Sequence, residues 1–226
     1  MLSYPNNVLV IAAHPDDEVL GVGGTIPILR SKGARVTVLM VTEGSSTQYK
    51  GDDGAATAKR SQMKEANRII GTDELAEWDF PDMRLDTVEH QQLNSAFNEF
   101  LHTRGFDTVF VHGDIDINLD HQIIYRSLMV AARPHPAQPV RTVLTYQVNS
   151  STEWGGQAMG RTFAPNLYIQ IDETIETKLA AMAAYKDELR PYPHPRSIRA
   201  LRERAAVYGT EVGYRFAEAF RLILSR

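Results

Sequence analysis

Apolar runs alternate along the chain with segments of helical periodicity and with short polar loops. The run at 7–13 precedes a predicted helix at 16–31, and a second apolar run follows at 35–42. A strand, a helix and a strand in this order indicate a βαβ unit with a right-handed crossover. The same pattern predicts strands at 76–80, 108–112, 140–148 and 166–171, and helices at 55–70, 89–103, 120–133, 172–189 and 196–208. We therefore expect one Rossmann-like α/β/α domain over 1–226, with three layers and a mostly parallel sheet.

Three glycines interrupt the first predicted helix at positions 21, 23 and 24. Each costs up to about 1 kcal/mol relative to alanine inside a helix. The pattern leaves two interpretations open: the glycines allow close packing, or the helix begins irregularly.

Composition narrows the range of functions. The chain has 226 residues, 43% of them hydrophobic, a formal net charge of −4 and no cysteine. Because no basic stripe is present, we do not expect a nucleic-acid partner. A metal site would have to use His, Asp or Glu. No apolar run reaches the roughly 20 residues of a membrane span, and the N-terminus lacks the pattern of a signal peptide. The expected location is the cytoplasm.

Two polar clusters follow apolar strands. The first is the hexapeptide Ala-His-Pro-Asp-Asp-Glu at 13–18, and the second spans 112–121. Ligands of open α/β sheets bind outside the carboxyl ends of the strands, so the two clusters could converge on one site. Zinc ligands His14, Asp17 and His121 would leave a position open for water, as a catalytic site requires.

These residues resemble the PIG-L or LmbE-like family of zinc-dependent de-N-acetylases. The hexapeptide matches the family's first motif at all six positions, and Asp120-His121 matches the end of the second. Segments 116–121, 150–154 and 193–197 resemble a bacterial branch of that family. The resemblance implies that His14, Asp17 and His121 bind zinc and that Asp16 is the general base. It also implies an N-acetylated amino sugar or related glycoside as substrate, with acetate and a free amine as products.

Asn118 departs from the family pattern. Many members have a histidine there, assigned to oxyanion stabilisation or proton donation. Asparagine can donate a hydrogen bond but cannot act as a general acid at neutral pH. Two alternatives remain for the proton donor: Asp16 shuttles the proton to the amine, or His194 enters the site from its proline-rich loop. We favour the shuttle as the working hypothesis.

Five other residues each have a functional and a structural interpretation. Asp82 resembles a carboxylate that contacts sugar hydroxyls, or it forms a Pro-Asp turn. Arg60 lies where the family carries a substrate-binding arginine, or on a solvated helix face. Trp154 stacks on a sugar, or anchors a polar loop. Arg196 binds an anionic substrate group, or caps nearby carbonyls. Asp120 supports the zinc ligands, or caps a helix.

Three carboxylates receive no catalytic assignment from the sequence. Glu18 is interpreted as a first-turn helix residue or an outer partner of the site. Asp114 and Asp116 are interpreted as turn formers.

Several alternatives concern the whole protein. Divalent ions other than zinc suit nitrogen and oxygen ligands. One alternative is a metal hydrolase that acts on a non-sugar amide or ester, which would need the same residues. Another is a protein that binds sugar or metal without catalysing a reaction. A homo-oligomer is also possible.

Overall fold

A computed structural model describes residues 5–42, 44 and 53–226. The strands are β1 (Asn7–Ala12), β2 (Arg35–Thr42), β3 (Glu74–Phe80), β4 (Thr108–His112), β5 (Thr142–Tyr146), β6 (Leu167–Gln170) and β7 (Ala217–Ser225). The helices are α1 (Asp17–Val22), α2 (Thr25–Ser31), α3 (Asp53–Ile70), α4 (His90–Arg104), α5 (Leu119–Ala131), α6 (Thr152–Met159), α7 (Ile175–Ala184) and α8 (Ile198–Val212), with a 3-10 turn at Leu85–Thr87. The segment at 43–53, whose Gly, Ser, Thr and Asp residues predict a loop, falls largely outside the described residues.

The seven strands of the described ranges form one sheet in the order β3-β2-β1-β4-β5-β7-β6. The first five run parallel, and β7 pairs antiparallel with both β5 and β6. The chain builds outward from β1 in one direction through β2 and β3, then returns to place β4 on the other side of β1. This reversal leaves a crevice at the carboxyl ends of β1 and β4, where doubly wound sheets bind ligands.

Helices cover both faces of the sheet, which confirms the predicted three-layer arrangement. Successive residues of β1 point to opposite faces: Val8 and Val10 enter the core beneath α1, α2, α3, α7 and α8, whereas Leu9 and Ile11 enter the core beneath α4 and α5. Burial on both faces explains why β1 is a continuous apolar run without polar alternation.

The glycines of the first helix serve close packing. A Cβ on Gly21 would lie 2.1 Å from the Tyr146 ring, and one on Gly24 would lie 2.8 Å from the Ile171 side chain. The helix predicted at 16–31 is divided into α1 and α2 at Gly23 and Gly24. Close packing is therefore confirmed, while the single continuous helix was wrong.

Two elements were absent from the sequence predictions. Strand β7 carries charged residues within its apolar pattern, and one of them, Glu218, is buried against Lys178. Helix α6 includes Gly155 and Gly156, which disfavour a helix but allow it to pack closely against the backbone at Asp116 and Arg161. Trp154 thus lies on a helix, and its placement in a loop was wrong.

Some helix ends also differ. The helix predicted at 172–189 is limited to Ile175–Ala184. None of the helices in the described ranges has both the length and the apolar character needed to cross a membrane.

Candidate metal centre and active-site pocket

The two polar clusters meet at the crevice between β1 and β4. Residues 14–18 leave the end of β1, His112 ends β4, and 116–121 lead into α5. Since β1 and β4 are neighbouring parallel strands, their carboxyl ends place both clusters at the same sheet edge. The structure thus brings together His14, Asp17 and His121, as expected from the sequence.

The donor atoms of these three residues form a compact triangle. Nε2 of His121 lies 3.3 Å from Nδ1 of His14 and 3.3 Å from Oδ2 of Asp17, and the third side measures 3.5 Å. Ligands bound at about 2.0–2.1 Å with tetrahedral angles lie about 3.3–3.4 Å from one another. The donors therefore fit a divalent metal ion such as zinc in both type and spacing, and a metal could be held here.

Carboxylates contact the far nitrogen of each histidine. Nε2 of His14 lies 3.2 Å from Oδ2 of Asp120 and 3.3 Å from Oδ1 of Asp82. Nδ1 of His121 lies 3.1 Å from Oδ2 of Asp116, an ion-pair contact that does not have the geometry of a hydrogen bond. These carboxylates favour a proton on the far nitrogen, which leaves the lone pair of the near nitrogen free for a metal.

A second group of possible ligands shares His14 with Asp82 and Asp120. In this group Nε2 of His14 would be the atom that binds the metal. The carboxylate of Asp120, however, also accepts from the backbone N–H of Met83 at 2.8 Å and of Leu85 at 3.1 Å. Asp120 is therefore already engaged in orienting the His14 ring and the loop after β3. The group with two histidine nitrogens is therefore the stronger candidate for a metal site.

Electrostatics distinguish the candidate ligands from ordinary histidines. Burial acts to lower the pKa of His14, but hydrogen bonds to Asp120 and Asp17 outweigh it and raise the pKa to about 9. Burial likewise opposes the charge on His121, yet Asp17 and Asp116 raise its pKa to about 10. Asp17 is buried, but the neighbouring His121 and His112 hold its pKa well below the usual range. The cluster thus attracts positive charge.

His112 is a site residue that the sequence reasoning missed. Its side chain is fully buried, its Nε2 lies 3.0 Å from Oδ2 of Asp17, and its ring stacks on His121 at 4.0 Å between centroids. Burial, reinforced by the charge of His121, lowers the pKa of His112 to about 4, so the ring is neutral at pH 7 and Nε2 can donate to Asp17. Its position at the end of an apolar strand was the available signal.

Asp116 was also missed, because its loop was interpreted as a turn. Its carboxylate is buried, contacts His121, and accepts hydrogen bonds from the backbone N–H of Asn118 at 2.8 Å and from the hydroxyls of Ser151 and Thr152. The loop before α5 and the start of α6 are thereby tied to His121, a candidate metal ligand.

Asp16, the predicted base, lies beside the triangle in a strained conformation. Its φ of 123° is in a region that side chains other than glycine rarely adopt, and the residue is 4% exposed. Burial raises its pKa well above the usual range, Arg196 acts against this rise, and Asp17 and Glu188 add to it. A carboxyl group with a raised pKa suits a proton carrier near neutral pH.

Glu18 forms its side-chain hydrogen bonds with residues other than the candidate metal ligands. Its carboxylate accepts from the hydroxyl of Tyr185 at 2.5 Å, from Nδ2 of Asn67 at 3.0 Å and from the backbone N–H of Asp16 at 3.2 Å. Burial raises its pKa to about 7. Glu18 therefore holds the backbone at Asp16 through the hydrogen bond that it accepts from the Asp16 N–H group.

A pocket of about 340 Å³ opens over the donor triangle. Its lining includes these residues from the sequence predictions: His14, Asp16, Asp17, Asp82, Asn118, His121 and Arg196. The volume lies within the usual range of small-molecule sites. Lys59, Met83, Ser151 and Glu188 complete much of the wall and were not foreseen.

Four predicted residues lie outside this lining: Asp120, which contacts His14 as described above, and three others. Arg60 faces a neighbouring cavity of about 600 Å³ and pairs with Glu77 at 2.8 Å. Trp154 is 62% exposed on α6. His194 is exposed, and its Nδ1 accepts from the backbone N–H of Arg196 at 3.1 Å. Their proposed roles stay predictions.

Asn118 combines a structural position with access to the pocket. Its Oδ1 accepts from the backbone N–H of Asp120 at 2.9 Å and caps α5, while its Nδ2 lies 3.5 Å from Sδ of Met83. Asn118 thus lines the pocket that opens over the donor triangle, with its amide N–H group toward Met83.

Known deacetylases are similar to this chain in sequence. A deacetylase of Escherichia coli strain K12, YaiS, described as uncharacterized, is 29% identical over 79% of this chain and 90% of its own length. Diacetylchitobiose deacetylase of Thermococcus kodakarensis is 23% identical over 96% of this chain and 82% of its own length.

Solved structures share the fold. The conserved protein TT1542 from Thermus thermophilus superposes with a TM-score of 0.78 at 26% identity, covering 100% of this chain and 96% of that one. A 4-carboxy-2-hydroxymuconate hydratase from Pseudomonas putida KT2440 has a TM-score of 0.75 at 17% identity, covering 98% and 97%, so the same fold also carries other chemistry.

The family model described as PIG-L, GlcNAc-PI de-N-acetylase, matches residues 9–132, which is more than half of the chain. The matched segment includes both polar clusters and every candidate metal ligand. The chain therefore belongs to the PIG-L de-N-acetylase family.

Proposed function

We propose that the protein is a zinc-dependent hydrolase that removes the acetyl group from an N-acetylated amino sugar or sugar conjugate. The observation that carries this proposal is the triangle of His14, Asp17 and His121 donors beside the buried carboxylate of Asp16. The family description and the relative named diacetylchitobiose deacetylase support a sugar N-acetyl substrate.

His14, Asp17 and His121 would hold the metal ion. When bound, such an ion polarises the amide carbonyl and makes a water acidic enough to attack near neutral pH. The contacts of His112, Asp116 and Asp120 with these ligands keep the donor atoms pointed at one another. Since the site is assembled before any substrate enters, little reorganisation is required during reaction.

Asp16 serves as the proton carrier in this proposal. Its carboxylate accepts a proton from the attacking water and delivers it to the amine as the C–N bond breaks. The raised pKa of Asp16, caused chiefly by burial, lets the group act in both directions. The exposed position of His194 supports this shuttle over donation from the proline-rich loop.

Asn118 and Asp82 supply polar contacts from the pocket wall. The Nδ2 group of Asn118 can donate to the oxygen on which negative charge develops. Asp82 can accept from a sugar hydroxyl while it contacts Nε2 of His14. A homo-oligomeric assembly and a cytoplasmic location stay predictions.

The direct test is acetate release from a panel of N-acetylated sugars, free and conjugated, alongside acylated metabolites without a sugar. Wild-type protein should release acetate from at least one sugar, and Asp16→Asn should lose at least about 10²-fold in kcat while keeping its metal. Turnover restricted to the non-sugar compounds would overturn the sugar assignment. Undiminished turnover by Asp16→Asn would overturn the role of the carboxylate.

A further inference from the structure

The side chain of Arg196 reaches across the pocket to the predicted base. Its Nη1 lies 3.1 Å from Oδ2 of Asp16 and donates to that carboxylate. The two residues are 180 positions apart in the chain. Arg196 precedes α8, whereas Asp16 precedes α1, so the contact joins two loops on the wall of one pocket.

The guanidinium is itself fixed by other contacts. The same Nη1 donates to Oε2 of Glu188 at 2.9 Å, and Nε donates to Oγ of Ser150 at 2.9 Å. The other oxygen of Glu188 lies 3.0 Å from Nζ of Lys59. Two cations and two carboxylates thus alternate along the wall, so the positive charge of Arg196 is balanced without an anionic substrate.

Asp16 depends on an external partner for its orientation. The residue before a helix commonly uses its side chain to cap the first turn, but Asp16 makes no such capping bond within the described residues. Its strained backbone aims the carboxylate into the pocket instead. Without the arginine, this buried carboxylate would be free to change rotamer and would lose a charge-assisted hydrogen bond.

We propose that Arg196 is a positioning residue that holds the Asp16 carboxylate in its reactive orientation, with Glu188 and Ser150 fixing the guanidinium. This role rests on the proposed function, and it replaces the capture of a substrate anion that the sequence suggested. A positioning residue acts on kcat, whereas a substrate-binding arginine acts on KM.

The kinetic test compares Arg196→Ala and Arg196→Lys with Arg199→Ala, a matched control whose arginine pairs with Glu203 on the exposed face of α8. Misplacement of a reacting group by about 1 Å can cost 10²-fold. Arg196→Ala should therefore lose about 10²-fold in kcat with little change in KM, and added guanidinium should restore part of the loss. A KM increase at unchanged kcat would overturn the proposal.

A second measurement does not require turnover. Urea midpoints of chelated protein are compared for Arg196→Ala, Asp16→Ala and the double variant, and zinc affinity is measured for each folded variant. If Arg196 and Asp16 are in contact, the urea midpoint of the double variant shifts by less than the sum of the shifts of the two single variants. Arg196→Ala should keep wild-type zinc affinity. Additive shifts would overturn the contact.

The two proposals fail in different ways. If wild-type protein released acetate from no substrate, the proposed function would fail. Non-additive urea midpoints in the chelated protein would still show the contact between Arg196 and Asp16. If Arg196→Ala did not fold, Arg196→Lys provides the same kcat and midpoint comparison, because it keeps the charge but loses the fork of donors.

Discussion

The residues of the candidate metal site divide into those with a motif and those recognisable only by burial. His14, Asp17 and His121 were predictable as neighbours at one sheet edge, because the hexapeptide is a specific motif and Asp120-His121 follows a second apolar strand. Asp116 and His112 were not, since a loop aspartate or a strand-end histidine has many ordinary roles. Only the fold shows that Asp116 is buried against His121 and that His112 stacks on the same ring.

Asp116→Asn tests the importance of that contact. The amide keeps the shape of the side chain but loses the negative charge that favours a proton on Nδ1 of His121. Because loss of such an outer contact typically costs 10–100-fold in metal affinity, we expect zinc binding to weaken by about this factor in a chelator competition. Asp114→Asn is the control, since Asp114 pairs with Arg161 at the half-exposed surface of the same loop. Equal affinities for the two variants would refute the prediction.

At the level of elements, the sequence predicted strands β1, β2 and β4 closely because each is mostly apolar and rich in valine. It failed for α6 and β7 for a common reason. Residues in both elements serve tertiary contacts. The glycines of α6 allow close packing against neighbouring backbone, and Glu218 in β7 is buried beside Lys178. Local propensity therefore argued against the structure that packing favours.

Gly155→Ala should show how closely α6 packs against the loop before α5, which contains Asp116. A Cβ at this position would lie 2.3 Å from the backbone carbonyl carbon of Asp116. Because backbone atoms must move, we expect a loss of about 1–3 kcal/mol in the free energy of unfolding, together with weaker zinc binding. Gln157→Ala, at an exposed position of α6, should leave both unchanged. Wild-type stability and zinc affinity in Gly155→Ala would show that the helix can move freely away from the loop.

Across the whole molecule, the antiparallel strand β7 anchors helices on one face of the sheet. Glu218 accepts from the backbone N–H groups of Gly24 and Thr25 at 2.9 and 2.8 Å, and from Nζ of Lys178 at 2.5 Å. Lys178 also donates to the carbonyl of Leu20 at 2.8 Å. One buried ion pair thus joins β7, α7 and the junction between α1 and α2.

Glu218→Ala should destabilise the protein strongly, because it leaves the ammonium group of Lys178 buried without its counter-charge. Breaking a buried pair in this way costs about 3–5 kcal/mol, measurable by urea denaturation. The comparison is Glu176→Ala, which removes an exposed partner of Arg202 and should cost less than about 1 kcal/mol. Similar costs for both variants would contradict the anchoring role.

The most direct measurement is a zinc titration of chelated protein with acetate release followed at each addition. The metal-site assignment predicts no turnover at zero metal, a linear rise to one equivalent per chain, and a plateau thereafter. Asp17→Ala and His121→Ala should show neither tight binding nor restored turnover. Full acetate release by the chelated protein, or unchanged zinc affinity in these variants, would contradict the account.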